Sequence, residues 1–585
     1  ARESARHHPS VSAKGALATH TLAATWRQLL LLAVIILCAG MLMSRLVFWQ
    51  VMQHGHLAAQ AAEEHAALYA QPAMRGRIFD AHMNPLATDV TMNLVYAVPR
   101  DIRNPTVAAA QLAPVLGQPS GRLAAIMASG SRHQILLAPR VDMEASQRLQ
   151  QLAIHGIVLV PEIRRDYPEA QVASQVMGFV TNDNHGFYGI EGYYDGLLSG
   201  RISPSAFVKQ MRGPHARIRS QGASPSHDGA DLYLSLDGVV QGIAEDLLRK
   251  AVKQHAADGG TIIVMDPRTG HILGMANRPT FDPNHYSASD HSTYANPASN
   301  DIYEPGSTYK VITMAAGLDT HVVTPDTGFE DTGVFVVGTD VLHNWSGGGF
   351  GWETMTEVLQ HSANVGAAWV AQRLGQDAFY RYVQRFGFGR PTGIEQQGEQ
   401  GGLLPLPRDK SWSLVNLYTN AYGQGLAVTP LQLIQAVGAV ANRGVLMQPQ
   451  LVQRIVYGGN VIDRKPVPER RVMSRRAAWT LTHMLVQSAI GGEAQLGLVS
   501  GYNIAAKTGT ANVAGPNGRY IRGDTIASII GYAPAYHPRF VALVIIRHPR
   551  DTPWGSEAAA PVLHQLFQEL FMYYHIPPSA NATYR

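Results

Sequence analysis

From Gln28 to Met43 the chain is almost wholly aliphatic, and after Arg45 it turns apolar again from Leu46 to Met52. Flanked by Trp26 and Trp49 as belt residues, the run suffices to cross a hydrocarbon core of roughly 30 Å if Arg45 snorkels toward the far interface. The pattern predicts one uncleaved transmembrane anchor over residues 28–51. A cleaved signal peptide fits less well, because the small residues Ala58, Ala59 and Ala61 lie far beyond its end. Residues 1–27 are polar and basic through Arg2, Arg6, Lys14 and Arg27. The positive-inside rule therefore predicts a cytoplasmic tail over 1–27, with everything past about residue 52 outside.

Beyond the anchor, residues 53–70 read as a helical Ala/Glu/His stalk, and Arg75 to Asp89 as strand-like pieces broken by Asn84-Pro85. Helices and short strands alternate to about residue 220, with no grouped nucleophile, base and acceptor. A non-catalytic module is expected over 53–225, closed by the Ser/Gly-rich linker Ser220 to Gly229. Leu232, Leu234 and Leu236 then alternate like a strand that opens a second domain, and Val239 to Ala256 has helical periodicity. Thr261 to Met265 and His271 to Met275 flank Pro267-Arg268-Thr269-Gly270, a hairpin pattern. Further strands are predicted at Ala505 to Thr510, Ile526 to Tyr532 and Phe540 to Ile546, and a helix over 558–574. The fold class is α+β and multidomain. Residues 226–576 are expected to form an antiparallel sheet with helices on both faces plus a helical lobe, and 577–585 a short tail.

Composition narrows the function. At 585 residues the chain exceeds one compact core, and 46% hydrophobic with 15% charged residues is a folded composition. A net charge of +4, with no basic run interleaved with aromatics, argues against a nucleic-acid partner. The single Cys38 lies in the anchor, so no disulfide or cysteine nucleophile is expected outside it. None of the 24 histidines falls at metal-ligand spacing; no metal and no cofactor are expected.

Three strings remain. Ser307-Thr308-Tyr309-Lys310 follows the breaker Pro305-Gly306, and Val311, Met314, Ala315 and Leu318 recur at helical spacing. Ser307 thus starts a buried helix, where free N–H groups favour a developing oxyanion, with Lys310 one turn on and on the same side. A lysine can act as base only if burial and a second cation lower its pKa; Lys507 is that cation. Ser362-Ala363-Asn364 interrupts two helices, the first with a capping box from Thr354 and Glu357, the second over Val365 to Leu374. Ser362 is suited to relay a proton to a leaving amine, and Asn364 to hold an amide. Lys507-Thr508-Gly509-Thr510 reads as an edge strand: Gly509 leaves room for an extended substrate, and Thr508 and Thr510 suit a carboxylate. The Thr510 and Ser307 N–H groups would form an oxyanion hole. Singly each string has a plainer reading, as a helix cap, a turn or an edge strand. Together they point to a serine acyltransferase acting on a peptide-like carbonyl.

In these motifs the chain resembles a class B penicillin-binding protein, a membrane-anchored D,D-transpeptidase of bacterial cell-wall synthesis. Tyr303-Glu304-Pro305-Gly306-Ser307, Tyr422-Gly423-Gln424-Gly425, Thr429-Pro430 and Lys507 to Ala511 resemble its catalytic domain. Arg75-Gly76, Asp80, Pro85-Leu86-Ala87, Tyr167-Pro168 and Gly189-Ile190-Glu191 resemble its elongated pedestal, or dimerisation, domain. The resemblance implies that Ser307 attacks the penultimate D-Ala carbonyl of a stem peptide, releases D-Ala and is resolved by a neighbouring stem's amine. It further implies acylation by β-lactams and placement in the bacterial inner membrane with the catalytic domain extracytoplasmic. Implied partners are stem peptides on lipid-linked glycan strands, a membrane-embedded SEDS-type glycosyltransferase, and divisome or elongasome proteins. Tyr167 through Gly192 resembles the division branch more than the elongation branch, which stays the alternative. Gly274 and Asn512 depart from the family's usual alanine and glutamine. Of the rival readings, a β-lactamase would need a deacylating glutamate, and the interval from Asn364 to Lys507 offers none that clearly qualifies. A β-lactam sensor would need more membrane helices, and a non-catalytic scaffold survives as a second role.

Overall fold

Leu232 and Leu234 do alternate into a strand, Asp231–Leu234, yet it does not open the catalytic sheet. It pairs in parallel with Ile78–Phe79 from the N-terminal part, and antiparallel with Val452–Tyr457 from the C-terminal part. The computed structural model describes residues 17–53, 74–129, 131, 133–201, 216–220, 228–515, 519–579 and 582. The predicted stalk, and most of the predicted linker, lie outside these residues. The strand is thus the junction of an eight-stranded sheet that also holds Pro85–Ala97, Ile135–Val141, Ile157–Asp166, Asn460–Arg464 and Ala216–Ser220. Strands of the two expected modules meet in one sheet, and Ala73–Arg585 is one compact unit.

The catalytic sheet has five antiparallel strands in the order Ile272–Arg278, Gly259–Met265, Phe540–Arg547, Tyr520–Ala533, Ala505–Ala514. Its central strands are apolar almost throughout because both faces are covered. Ile262, Val264, Ala542 and Val544 pack against helices Gly238–Gln254 and Ala560–Tyr573. Ile263, Met265, Leu543 and Ile545 face the other way, into the core that contains helix Pro430–Ala441. Each of the larger side chains contributes about 1.5–3 kcal/mol through removal from water, and Ala542 less. Asp237 starts the first of these helices by accepting the Val239 N–H at 3.0 Å. The last strand, Ala505–Ala514, pairs on one side only and is a sheet edge.

The helical lobe is built from Lys310–Asp319, Met355–Gln360, Asn364–Arg385 and Arg475–Gly491. The helix predicted over Val365 to Leu374 does end there: Gly375 leaves helical geometry at a φ of 72°, which a glycine adopts freely, and a second helical stretch continues to Arg385. In the N-terminal part, a buried ion-pair network ties the family-like motifs together. Glu191 accepts Arg75 Nε at 2.6 Å and Arg165 Nε at 2.7 Å, and Asp89 takes Arg165 Nη1 at 3.1 Å.

The N-terminal unit, taken by itself, is the helix Leu17–Val47 followed by the wider turn Phe48–Met52. Its apolar span, Gln28–Met52, has 25 residues, and its most apolar 18-residue stretch has a mean hydropathy of 2.5. At 1.5 Å per residue that is about 37 Å, enough to cross a bilayer.

Candidate active site

Ser307 sits in a 3₁₀ turn, Gly306–Tyr309, that runs straight into helix Lys310–Asp319. The turn is held by Thr308, whose hydroxyl donates to Pro305 O at 2.7 Å, and by Gly306 N–H donating to Gly423 O at 3.1 Å. Close approach demands glycine here: a Cβ on Gly423 would lie 2.2 Å from Gly306 O. Gly306 itself has φ 57°, and its own Cβ would lie 2.9 Å from Thr510 O. The Ser307 turn therefore lies against the edge strand. Glu304 braces the same corner, accepting from Gly425 N–H at 2.9 Å and from Tyr520 OH at 2.9 Å.

Lys310 is 1% exposed. Its ammonium nitrogen lies 3.0 Å from Ser307 Oγ, 2.8 Å from Asn364 Oδ1 and 3.3 Å from Ser362 Oγ, and it also bonds Ser362 O. From the other side, Lys507 Nζ donates to the same Ser362 Oγ at 2.9 Å. Ser307, Lys310, Ser362 and Lys507 thus form one continuous chain of polar contacts, with Asn364 on its flank. Burial first, then the charge of Lys507, push the Lys310 pKa well below the ordinary lysine value; Glu493, Glu353 and Asp331 oppose this. Burial lowers Lys507 too, against the pull of Glu493.

Backbone geometry fixes Ser362. Thr354 and Glu357 form the predicted capping box, which starts helix Met355–Gln360. That helix ends two residues before Ser362, whose φ of 56° is unusual for a non-glycine residue and turns the chain into the next helix. Neighbouring loops pin this bend: Trp345 Nε1 donates to His361 O at 2.9 Å, Asn364 Nδ2 to His343 O at 3.1 Å, and Val365 N–H to Asn344 Oδ1 at 3.0 Å.

Along the edge strand, Gly509 is packed against the Ser307 turn: a Cβ there would meet Ser528 Oγ at 2.7 Å and Pro305 O at 3.0 Å. Thr510 is half-buried, and its hydroxyl accepts the Gly555 N–H at 3.1 Å. The Thr508 hydroxyl is already used. It donates to Glu493 Oε2 at 2.8 Å and lies 3.4 Å from Lys507 Nζ.

Glu493 is the residue that the linear pattern hid; its carboxylate lies against Lys507 and Thr508. It follows Gly491-Gly492 at the end of helix Arg475–Gly491. Gln360 Nε2 donates to Gly491 O at 3.1 Å, and a Cβ on Gly492 would lie 2.5 Å from Gln360 O. The glycine pair thus lets the turn fold back against the helix that precedes Ser362. A Gly-Gly-Glu at a helix end, 14 positions before a motif lysine, is the only linear signal of this.

Residues 260–568 match the family described as "Penicillin binding protein transpeptidase domain", and residues 70–234 match "Penicillin-binding Protein dimerisation domain". Stage V sporulation protein D of Bacillus subtilis is 34% identical over 516 residues, covering 87% of this chain and 79% of that protein. Peptidoglycan D,D-transpeptidase FtsI of Escherichia coli is 30% identical over 567 residues, 96% of this chain and 94% of that one. The crystal structure of penicillin binding protein 3 from Mycobacterium tuberculosis, complexed with ampicillin, superimposes with a TM-score of 0.68. It shares 25% identity and covers 88% of this chain and 98% of that one. The fold, the two matched domains and the relatives agree: this chain belongs to the class B penicillin-binding proteins.

Proposed function

We propose that this protein is a peptidoglycan D,D-transpeptidase that works through an acyl-enzyme on Ser307. One observation supports the reading most: Lys310 Nζ lies 3.0 Å from Ser307 Oγ while Lys507, sharing Ser362 Oγ with it, keeps a second cation close. Lys310, neutral through burial and that cation, takes the Ser307 proton as the oxygen attacks the penultimate D-Ala carbonyl. The C–N bond to the terminal D-Ala then breaks as Ser362 passes its proton to the leaving amine and takes the one held by Lys310, which is neutral again. An amine of a neighbouring stem attacks the acyl-enzyme, Lys310 takes its proton, and Ser307 is restored as the cross-link forms. The one-sided strand Ala505–Ala514 receives the donor stem as an added strand past Gly509. Asn364 holds the stem amide, and Thr510 with Ser307 supplies the oxyanion N–H groups.

We further assign the span Gln28–Met52 as a single-pass inner-membrane anchor with the catalytic domain extracytoplasmic. The partner implied is a membrane-embedded SEDS-type glycosyltransferase, with divisome proteins around it. Similarity to FtsI, and the run Tyr167 to Gly192, support septal over lateral-wall synthesis.

Labelling with a fluorescent penicillin tests the chemistry. Stable label on the wild-type chain and none on folded Ser307→Ala is expected. Label on the variant would overturn the nucleophile, and label lost within seconds would indicate a hydrolase. Lateral-wall placement of a tagged chain in dividing cells would overturn the septal assignment.

A further inference from the structure

A buried ammonium is costly unless a counter-charge stands near it. Lys507 meets that condition through one group. Its side chain is 4% exposed, and among the described residues its ion pair is with Glu493, whose Oε2 lies 3.8 Å from Nζ. The same oxygen accepts the Thr508 hydroxyl at 2.8 Å, so the carboxylate is fixed by the strand that carries Lys507. Among the described residues no comparable partner sits at Lys310: its hydrogen-bond contacts are Ser307, Ser362 and the Asn364 carbonyl oxygen, all uncharged. The two lysines share Ser362 Oγ, at 2.9 Å and 3.3 Å, so the pair is strongly coupled.

We propose that Glu493 is a positioning residue: it supplies the counter-charge that keeps the shared proton on Lys507 and leaves Lys310 free to act as base. This rests on the Ser307 acylation reading. Other charged groups facing the pair are Glu353 and Asp331, which lie on the Lys310 side; Glu353 is paired with His361 Nδ1 at 2.6 Å. Only Glu493 is held against Lys507. The Gly491-Gly492 turn exists to bring it there.

A coupled pair gives a bell-shaped acylation profile, whose acid limb is loss of the first proton and whose alkaline limb is loss of the second. A carboxylate beside the pair favours every protonated form, so removing its charge moves both limbs toward acid. The test measures the second-order rate of fluorescent-penicillin labelling against pH on the full-length chain, for wild type, Glu493→Gln and Glu493→Asp. We expect both limbs of Glu493→Gln to move to lower pH by about one unit, the size of shift one nearby opposite charge produces. Glu493→Asp, which keeps the charge, should return most of the shift. Should Glu493→Gln fail to fold, an Asp profile matching wild type together with a Glu493→Ser profile moved toward acid supports the same conclusion. Limbs that stay put in every charge-free variant, with or without a lower rate, would overturn the inference and leave Ser307 acylation standing. A wild-type chain that never labels at Ser307 would instead bring down the parent reading.

Discussion

Two regions of this molecule bury positive charge, and they do it for opposite ends. In the N-terminal part, Arg75 and Arg165 are met by Glu191, Asp89 and Asp195, with nitrogen-to-oxygen distances of 2.6–3.1 Å. Burial pulls the Glu191 carboxyl up, and Arg165 and Arg75 more than offset it, so it stays ionised below its usual range. At the candidate active site, Lys310 and Lys507 are as deeply buried, but among the described residues the one carboxylate paired with them stands 3.8 Å from Lys507. Compensated charge is inert and sets geometry. Under-compensated charge is reactive, because the cheapest relief is to give up a proton. The first region holds the motifs of the sheet junction in place; the second, on the function proposed above, tunes a base.

The comparison breaks most sharply if each site is stripped of one charge. Lys310→Met keeps length and removes the base; labelling of Ser307 should slow by roughly 10²–10⁴-fold, the range for a lost general base. Stability should stay level or rise, since an apolar side chain replaces a buried lysine without a close counter-ion, and urea denaturation would read this. Glu191→Ala should do the reverse. Leaving Arg75 and Arg165 without their shared carboxylate costs about 3–5 kcal/mol, while the folded fraction still labels at the normal rate. A Glu191 variant that is stable but unreactive would erase the distinction.

Acid and alkali should separate the two regions as well. Glu191 has a folded pKa below its unfolded value, so its stabilisation is full above the usual carboxylate range and is lost as pH falls below it. Lys310 also has a folded pKa below its unfolded value, but the unfolded value is 10.5. Between the depressed folded value and the ordinary one the unfolded chain binds the extra proton, so stability rises with pH across that window up to the ordinary lysine range. Urea midpoints against pH should show two rising segments. Lys310→Met should flatten only the upper one; flattening of the lower one would place the titration elsewhere.

How much of this could be read from the chain alone follows the same division. Ser307, Lys310, Ser362, Asn364 and Lys507 sit in short strings whose local signals survive in one dimension: a breaker before a helix, a capping box, an edge strand. The catalytic strands were legible because burial on both faces leaves runs such as Phe540 to Ile546. Strand Asp231–Leu234 was legible as a strand but not as the junction. Its partners lie about 150 residues before and about 220 after it, and alternation carries no address. Glu493 was missed for a related reason: only the fold-back at Gly491-Gly492 brings it to Lys507, and a lone glutamate after a helix otherwise reads as solvated surface. The ion-pair network likewise joins Arg75 to Glu191 across 116 positions.

The smallest effect that still tests the comparison lies one helix away from the lysines. Thr354 caps helix Met355–Gln360 by accepting the Glu357 N–H at 3.3 Å, while Glu357 Oε2 accepts the Thr354 N–H at 2.7 Å. Thr354→Ala removes half of that reciprocal pair and should cost about 1 kcal/mol. Were the cap the only thing placing Ser362, acylation would fall in step. The bend at Ser362 has three further ties, from Trp345, Asn364 and Asn344, none of which involves Thr354. The expected result is therefore a lower urea midpoint with labelling changed by less than about threefold, below 1 kcal/mol in barrier. A rate loss that tracks the stability loss would show that the relay is positioned by its helix, and that the loops behind it contribute little.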